Sequence, residues 1–261
     1  MPPPTGASVT TVGRANRGGG GAFVPCDVSL MGNVRKLVAD LPVETFDVLA
    51  FTNGIIPKKT KCVTSEGVEE DMAVSALSRH VFLAAAAPRF KAGVRVLIWG
   101  MPGNGMVKHA DGADLNSDAK YGGGFSPPTH ANTIALNEAL VAHWAAKGVV
   151  AAGFNPGLVR TDIRNVLHGG TGCMAAFFEG CIGCFNPTAE VYAQAVLPLL
   201  TAPELAAQKG LLFGQKGTTI QRSPELEGAA DVQRWIDAAD ALAAKAIAAS
   251  GAEKTTLRVP T

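Results

Sequence analysis

The 261-residue chain is short of charge: Asp, Glu, Lys and Arg make up 17% of it, and 23 basic side chains face 22 acidic ones. A formal charge of +1 provides no global field to attract nucleic acid, an anionic bilayer or polyanionic substrates, so nucleic acid is not an expected partner. Long apolar runs are also lacking. The most apolar window, GCMAAFFEGCIGCF at 172–185, stops well short of the roughly 20 residues a bilayer span needs. No basic start with an apolar run, and no arginine-rich amphipathic stretch, marks the N-terminus MPPPTGASVTTVGR as a targeting peptide. Cysteines number five, an odd count in a chain too large to need staples, which points to a reducing compartment and the cytoplasm. Cys181 and Cys184 form one Cys-x-x-Cys pair, but no second pair exists and the flanks are apolar, so free thiols are expected rather than zinc or a redox dithiol. His80, His109, His143 and His168 show no metal-ligand spacing, and no metal site is expected.

What the chain does have is apolar content, 47%, enough for a substantial core in one domain spanning 1–261. Short β-type runs alternate with helical patterns, the sign of βαβ units and a mostly parallel sheet. Residues 7–14 and 22–28 read as strands, 32–41 as a helix, and 46–51 and 94–100 as strands covered on both faces. A helix is predicted over 64–88, opened by Thr64 and with Glu66, Glu69 and Glu70 near its positive end. Residues 101–127 form a long loop, functional or mobile. A helix at 129–147 leads to a strand at 149–157 that breaks at Pro156-Gly157. A lid-like segment (164–186), a helix (187–200), a short strand (210–214) and an alanine-rich terminal helix (224–249) complete the pattern.

Five stretches in order carry a resemblance: VGR ending a strand, CDVS after the next, DVLAFTNGI, RVLIWGMPG and FNPGLVRTDI. With the helix TSEGVEEDMAVSALSRHVFL, they resemble the short-chain dehydrogenase/reductase superfamily over residues 8–220. The resemblance implies an α/β, Rossmann-like doubly wound sheet with helices on both faces, and NADP or NAD bound outside the carboxyl ends of the strands. Arg14 stands where NADP-preferring members place a base, Asp27 where an aspartate contacts adenine, and Asn53-Gly54 where the backbone comes close to the cofactor. Pro156, Gly157 and Thr161 match the Pro-Gly and threonine beside the nicotinamide. Each has a plainer alternative: Arg14 as a surface charge, Asp27 as a turn or cap, Gly54 and Gly157 as turns.

Two parts of the implied machinery are not found. A pyrophosphate needs a strand, a glycine turn and a helix N-terminus, whereas GRANRGGGG precedes another strand, so the family's N-terminal βα unit is expected to be missing or replaced. Because that strand is central in the family's order, the sheet must close up anew, be filled by another segment or chain, or belong to a longer product. The catalytic asparagine, serine, tyrosine and lysine read as Ser75, Met101 (or Gly100), His130 and Ile134, with Thr133 at the serine after the tyrosine. Isoleucine cannot hold a ribose and a thioether cannot usefully polarise a carbonyl.

The expectation is therefore a family homologue without standard hydride transfer, serving as a binding or structural subunit, self-associated or within a larger assembly. One rival is a carbonyl reductase or alcohol dehydrogenase using NADP or NAD, acting on a small molecule through His130 or Tyr121. Another is a non-redox lyase or isomerase acting through His130, which can move protons near neutral pH. Packing or solvent contact at a helix start is the plainer role for His130, and substrate-facing or packing duty for Tyr121.

Overall fold

The computed structural model describes residues 6–16, 21–159 and 187–256. Strands β1 (Thr10–Gly13) and β2 (Ala22–Pro25) pair in parallel as a two-stranded ribbon. A second sheet has the order β3 (Val48–Phe51), β4 (Arg95–Trp99), β5 (Val150–Phe154), β6 (Leu211–Phe213) and β7 (Thr219–Ile220), parallel except for β7. The mostly parallel α/β arrangement is the one expected. Among the described residues no ladder joins β1 to β3.

Side-chain alternation along β4 separates two apolar layers. Val96 and Ile98 face a cluster shared with helices α1 (Met31–Asp40), α3 (Ser78–Ala86), α4 (Thr129–Ala146) and the C-terminal helix, while Leu97 faces Tyr192, Val196 and Leu205 on the opposite side. Those last three lie on α5 (Ala189–Thr201) and α6 (Pro203–Ala207), so helices cover both faces of the sheet. The C-terminal helix α7 (Ala229–Thr256) buries Val232, Ile236, Ala239, Ala243 and Ala246, a stripe at alternating four- and three-residue steps that makes a single helical seam. Pinned between this seam and the sheet, α4 is buried around nearly its whole circumference, and its alanines 131, 135, 139 and 142 allow close approach. No helix among the described residues is long and apolar enough to cross a membrane.

Three expectations are corrected. The helix predicted from Thr64 begins at Glu70 with α2 (Glu70–Met72), and its cap is Glu69, whose carboxylate accepts the Met72 N–H at 2.8 Å. Residues 63–69 instead fold back as a turn, with Thr64 N–H donating to the Val68 carbonyl and Val63 bridging Glu69. Glu66, expected at this helix start, turns away to α1. Between α2 and α3 the chain runs through a π-helical segment (Ala73–Leu77). The terminal helix starts at Ala229, preceded by a 3-10 turn (Pro224–Leu226), and extends beyond the expected limit.

The long loop 101–127 is held by buried amides. Asn132 accepts from Asp111 N–H and donates to the Asp114 carbonyl; Asn116 accepts from Glu69 N–H and donates to the Gly67 carbonyl. The tip of YGGGF presses on the chain after β3: a Cβ at Gly123 would lie 2.7 Å from the Lys58 carbonyl oxygen, which only glycine permits. The lid-like stretch at 164–186 lies outside the described residues.

Candidate functional site

The carboxyl ends of β3, β4 and β5, where doubly wound folds place their ligands, converge on α3 and α4. At the end of β4, a Cβ on Gly100 would stand 2.5 Å from the Asn137 Cβ, so glycine here lets the strand end meet α4. Met101 follows with φ of 54°, a left-handed conformation rare for this residue type, and packs its thioether against the core. The position expected for the polarising serine therefore offers no hydroxyl.

A buried polar network fills the junction. Arg79, 1% exposed, donates to the Trp99 carbonyl at 3.0 Å, to Asn137 Oδ1 at 2.9 Å and to the Asn53 carbonyl. It thus ties the ends of β3 and β4 to α4. Burial pulls its guanidinium down to about 9, partly offset by the charge of Asp71. Asn137 completes its valences by donating to the Ser75 and Thr133 carbonyls. Asn53 donates to the Val74 carbonyl and to Ser78 Oγ, fastening the strand end to the π-helical segment.

Ser75, 5% exposed, accepts the Ile55 N–H at 3.0 Å and donates to Asp71 Oδ1 at 2.5 Å. Asp71, with no exposure, places Oδ2 2.8 Å from His130 Nδ1. The other imidazole nitrogen, His130 Nε2, is buried without a hydrogen-bond partner. Thr133 turns its hydroxyl back to the His130 carbonyl, and Phe125 lies edge-on to the imidazole at 5.8 Å. Ile134, at the lysine position, is 2% exposed in the main core.

Tyr121 is occupied elsewhere. Its hydroxyl donates to the Lys58 carbonyl at 2.6 Å, and burial, with Glu69 next, pushes its pKa up to about 12. That hydrogen bond fastens Tyr121 to the chain after β3.

The cofactor positions separate into two groups. Arg14 is exposed at the end of β1, and Asp27 caps a turn by accepting the Ser29 N–H at 3.0 Å and hydroxyl at 2.7 Å. Gly54 has room for a Cβ, its nearest neighbour being Ser75 Oγ at 3.7 Å. Asn155 orders the turn after β5, donating to the Pro102 carbonyl and accepting the Gly157 N–H across Pro156, with Gly157 at φ of 62°. Thr161 lies outside the described residues. The dinucleotide implied by the fold also needs a strand, glycine turn and helix N-terminus for its pyrophosphate, and no such unit occurs among the described residues. The pyrophosphate of a dinucleotide thus meets no cradle among the described residues.

Asp71 and Arg79 were not singled out from sequence, whereas Asn137 set the register that puts His130 and Ile134 at the tyrosine and lysine positions. Their signal was there: Asp71, Ser75 and Arg79 recur at one helical face in an otherwise apolar stretch, as do His130, Thr133 and Asn137. Elsewhere His80 Nε2 pairs with Asp240 at 2.7 Å, linking α3 to α7. Cys26 and Cys62 are free and half-buried, whereas Cys173, Cys181, Cys184 and His168 lie outside the described residues.

No family model matches the chain. It is 35% identical over 238 residues to an uncharacterized oxidoreductase of Saccharomyces cerevisiae, an alignment covering 86% of this chain and 75% of that protein. A short chain dehydrogenase family protein from Francisella tularensis superposes with a TM-score of 0.55 at 15% identity, over 79% of this chain and 85% of its own. The closed form of serine dehydrogenase complexed with NADP+ gives 0.55 at 17% identity, over 86% and 90%. The chain belongs to the family of that oxidoreductase, and its fold is the one shared by short-chain dehydrogenase/reductases.

Proposed function

We propose that this member of an oxidoreductase family does not perform hydride transfer by the tyrosine–lysine route, and serves as a binding or structural subunit in a homo-oligomer or larger assembly in the cytoplasm. Ile134 carries the reading. At 2% exposure it is committed to the core, and an aliphatic chain there neither holds a ribose nor tunes a neighbouring acid. The separate ladders of β1–β2 and β3–β7 support it, since among the described residues β1 and β3 each have one edge without a ladder partner, which can accept an extended segment of another chain. Titration with NADPH and NADH, followed by assays on small aldehydes and ketones, tests it. No hydride transfer is expected, and turnover at about 1 per second or faster would overturn it.

One observation favours a second reading: the unpartnered Nε2 of His130. Structures of this fold include a short-chain dehydrogenase/reductase from Burkholderia multivorans with bound NADP and a metagenomic blue fluorescent protein in complex with NADPH. Were NADP or NAD held here, Arg14, Asp27, Asn53, Gly54, Pro156, Gly157 and Thr161 are the residues to touch it, and it would supply a hydride acceptor or donor. His130, through its bare Nε2, is the residue that would move a proton at the oxygen of a small-molecule substrate. A lyase or isomerase would use the same nitrogen. His130→Gln should abolish any such turnover, and unchanged turnover removes this reading.

A further inference from the structure

We propose that Asp71 is the positioning residue of a histidine–aspartate pair, fixing His130 with its proton on Nδ1 so that Nε2 is the proton-accepting atom for a substrate hydroxyl. The inference rests on the second reading above, in which His130 is the acid–base group.

The hydrogen bonds give the arrangement a direction. A carboxylate only accepts, so at the 2.8 Å contact the imidazole must donate through Nδ1–H to Asp71 Oδ2. The neutral ring then carries its lone pair on Nε2. Oδ1 of Asp71 is itself held by the Ser75 hydroxyl at 2.5 Å, and Ser75 is held by the Ile55 N–H at 3.0 Å, so the carboxylate cannot rotate away. Asp71 has no exposure and His130 has 7%, which places the pair in a medium where hydrogen bonds are strong and unmade ones costly. His80 also has one bare buried nitrogen, Nδ1, but its partner Asp240 lies at the surface, whereas Asp71 is fully buried and fixed by the Ser75 hydroxyl. In His130 the Nδ1 atom is matched by Asp71 Oδ2 and Nε2 is left bare among buried groups. Such a nitrogen is matched to an O–H donor, which makes a small alcohol the ligand class. The proton passes from the alcohol oxygen to Nε2, the O–H pair remains on oxygen as alkoxide, and the imidazolium charge is balanced by Asp71. No electrons leave the substrate in this step.

Nitrogen-15 NMR of the full chain labelled at histidine reads the tautomer directly. The wild-type His130 is expected as the Nδ1–H form with an unprotonated Nε2. In Asp71→Asn, Ser75 keeps donating to the amide oxygen, which turns the amide NH2 toward Nδ1 and moves the imidazole proton to Nε2. Removing that constraint in Asp71→Asn/Ser75→Ala lets the amide oxygen face His130 and restores the Nδ1–H form. A wild-type Nε2–H tautomer, or Asp71→Asn with the wild-type pattern, overturns the proposal. The wild-type spectrum decides the matter even where a variant does not fold. If the tautomers behave as stated while His130→Gln leaves turnover of a discovered alcohol unchanged, the positioning geometry stands and the acid–base reading of the site falls.

Discussion

Glu66 and Met31 lie 35 residues apart, and the carboxylate of the first accepts the backbone N–H of the second at 2.5 Å, with the Gly32 N–H on its other oxygen at 2.9 Å. No side chain within α1 performs this service. The turn at 63–69 thus supplies the N-cap of a helix from a distance, where two free amides meet an acceptor. Glu66→Ala should lower stability by about 1 to 2 kcal/mol, the upper range for a lost cap, and Glu66→Gln, with one acceptor oxygen left, by less. Thermal denaturation of the two variants side by side checks both the loss and its order.

Glu69 caps α2 from a site that is 1% exposed, and burial, opposed by the Met72 N–H and reinforced by Asp71, raises its pKa to about 7. Its folded value exceeds its unfolded one of 4.5, so the folded state binds the extra proton. The associated stability is fully present below pH 4.5 and is lost as pH rises through 7. The amount at stake is up to about 3 kcal/mol. Glu69→Gln, permanently neutral, should flatten the fall in melting temperature across this window. A wild-type profile as flat as the variant's would contradict the assignment.

Restoring a lysine at position 134 should not restore a relay. Ile134 is enclosed by α4's own core contacts, so Ile134→Lys forces an ammonium into apolar surroundings and should cost about 3 kcal/mol or more. Urea denaturation would register the loss as a lower midpoint, and carbonyl reduction should stay absent.

Phe125 is 44% exposed, with its ring against His130. Phe125→Ala should raise the rate at which diethyl pyrocarbonate modifies His130 by roughly tenfold, because removing a large ring opens a buried site to solvent. Peptide mapping at residue 130 reads the rate, and an unchanged rate would mean that another side chain closes the site.

The buried strands were legible because β4 and β5 are short apolar runs flanked by turn residues, and because covered parallel strands need little else. Helix α4 was legible for its length. The start of the helix after β3 was not. Thr64 offered a good local cap, but residues 63–69 fold back on themselves and give their acids to two different helices. Tertiary placement overrode local preference there. The site was half legible: His130 and Ser75 came from matching a pattern, while Asp71 and Arg79 matter through partners 59 and 58 residues away, a pairing that one sequence does not announce.

The β1–β2 ribbon is tied to the core through side chains, Val12, Val24 and Cys26 packing against it, and not through backbone bonds to the larger sheet. Among the described residues its backbone bonds, from Ala22 N–H on Val9 to Cys26 N–H on Gly13, run within the ribbon and none reaches the five-stranded sheet. The amide protons of Ala22 and Cys26 should therefore exchange with deuterium through a smaller opening, while those of β4 and β5 wait for the whole core to come apart.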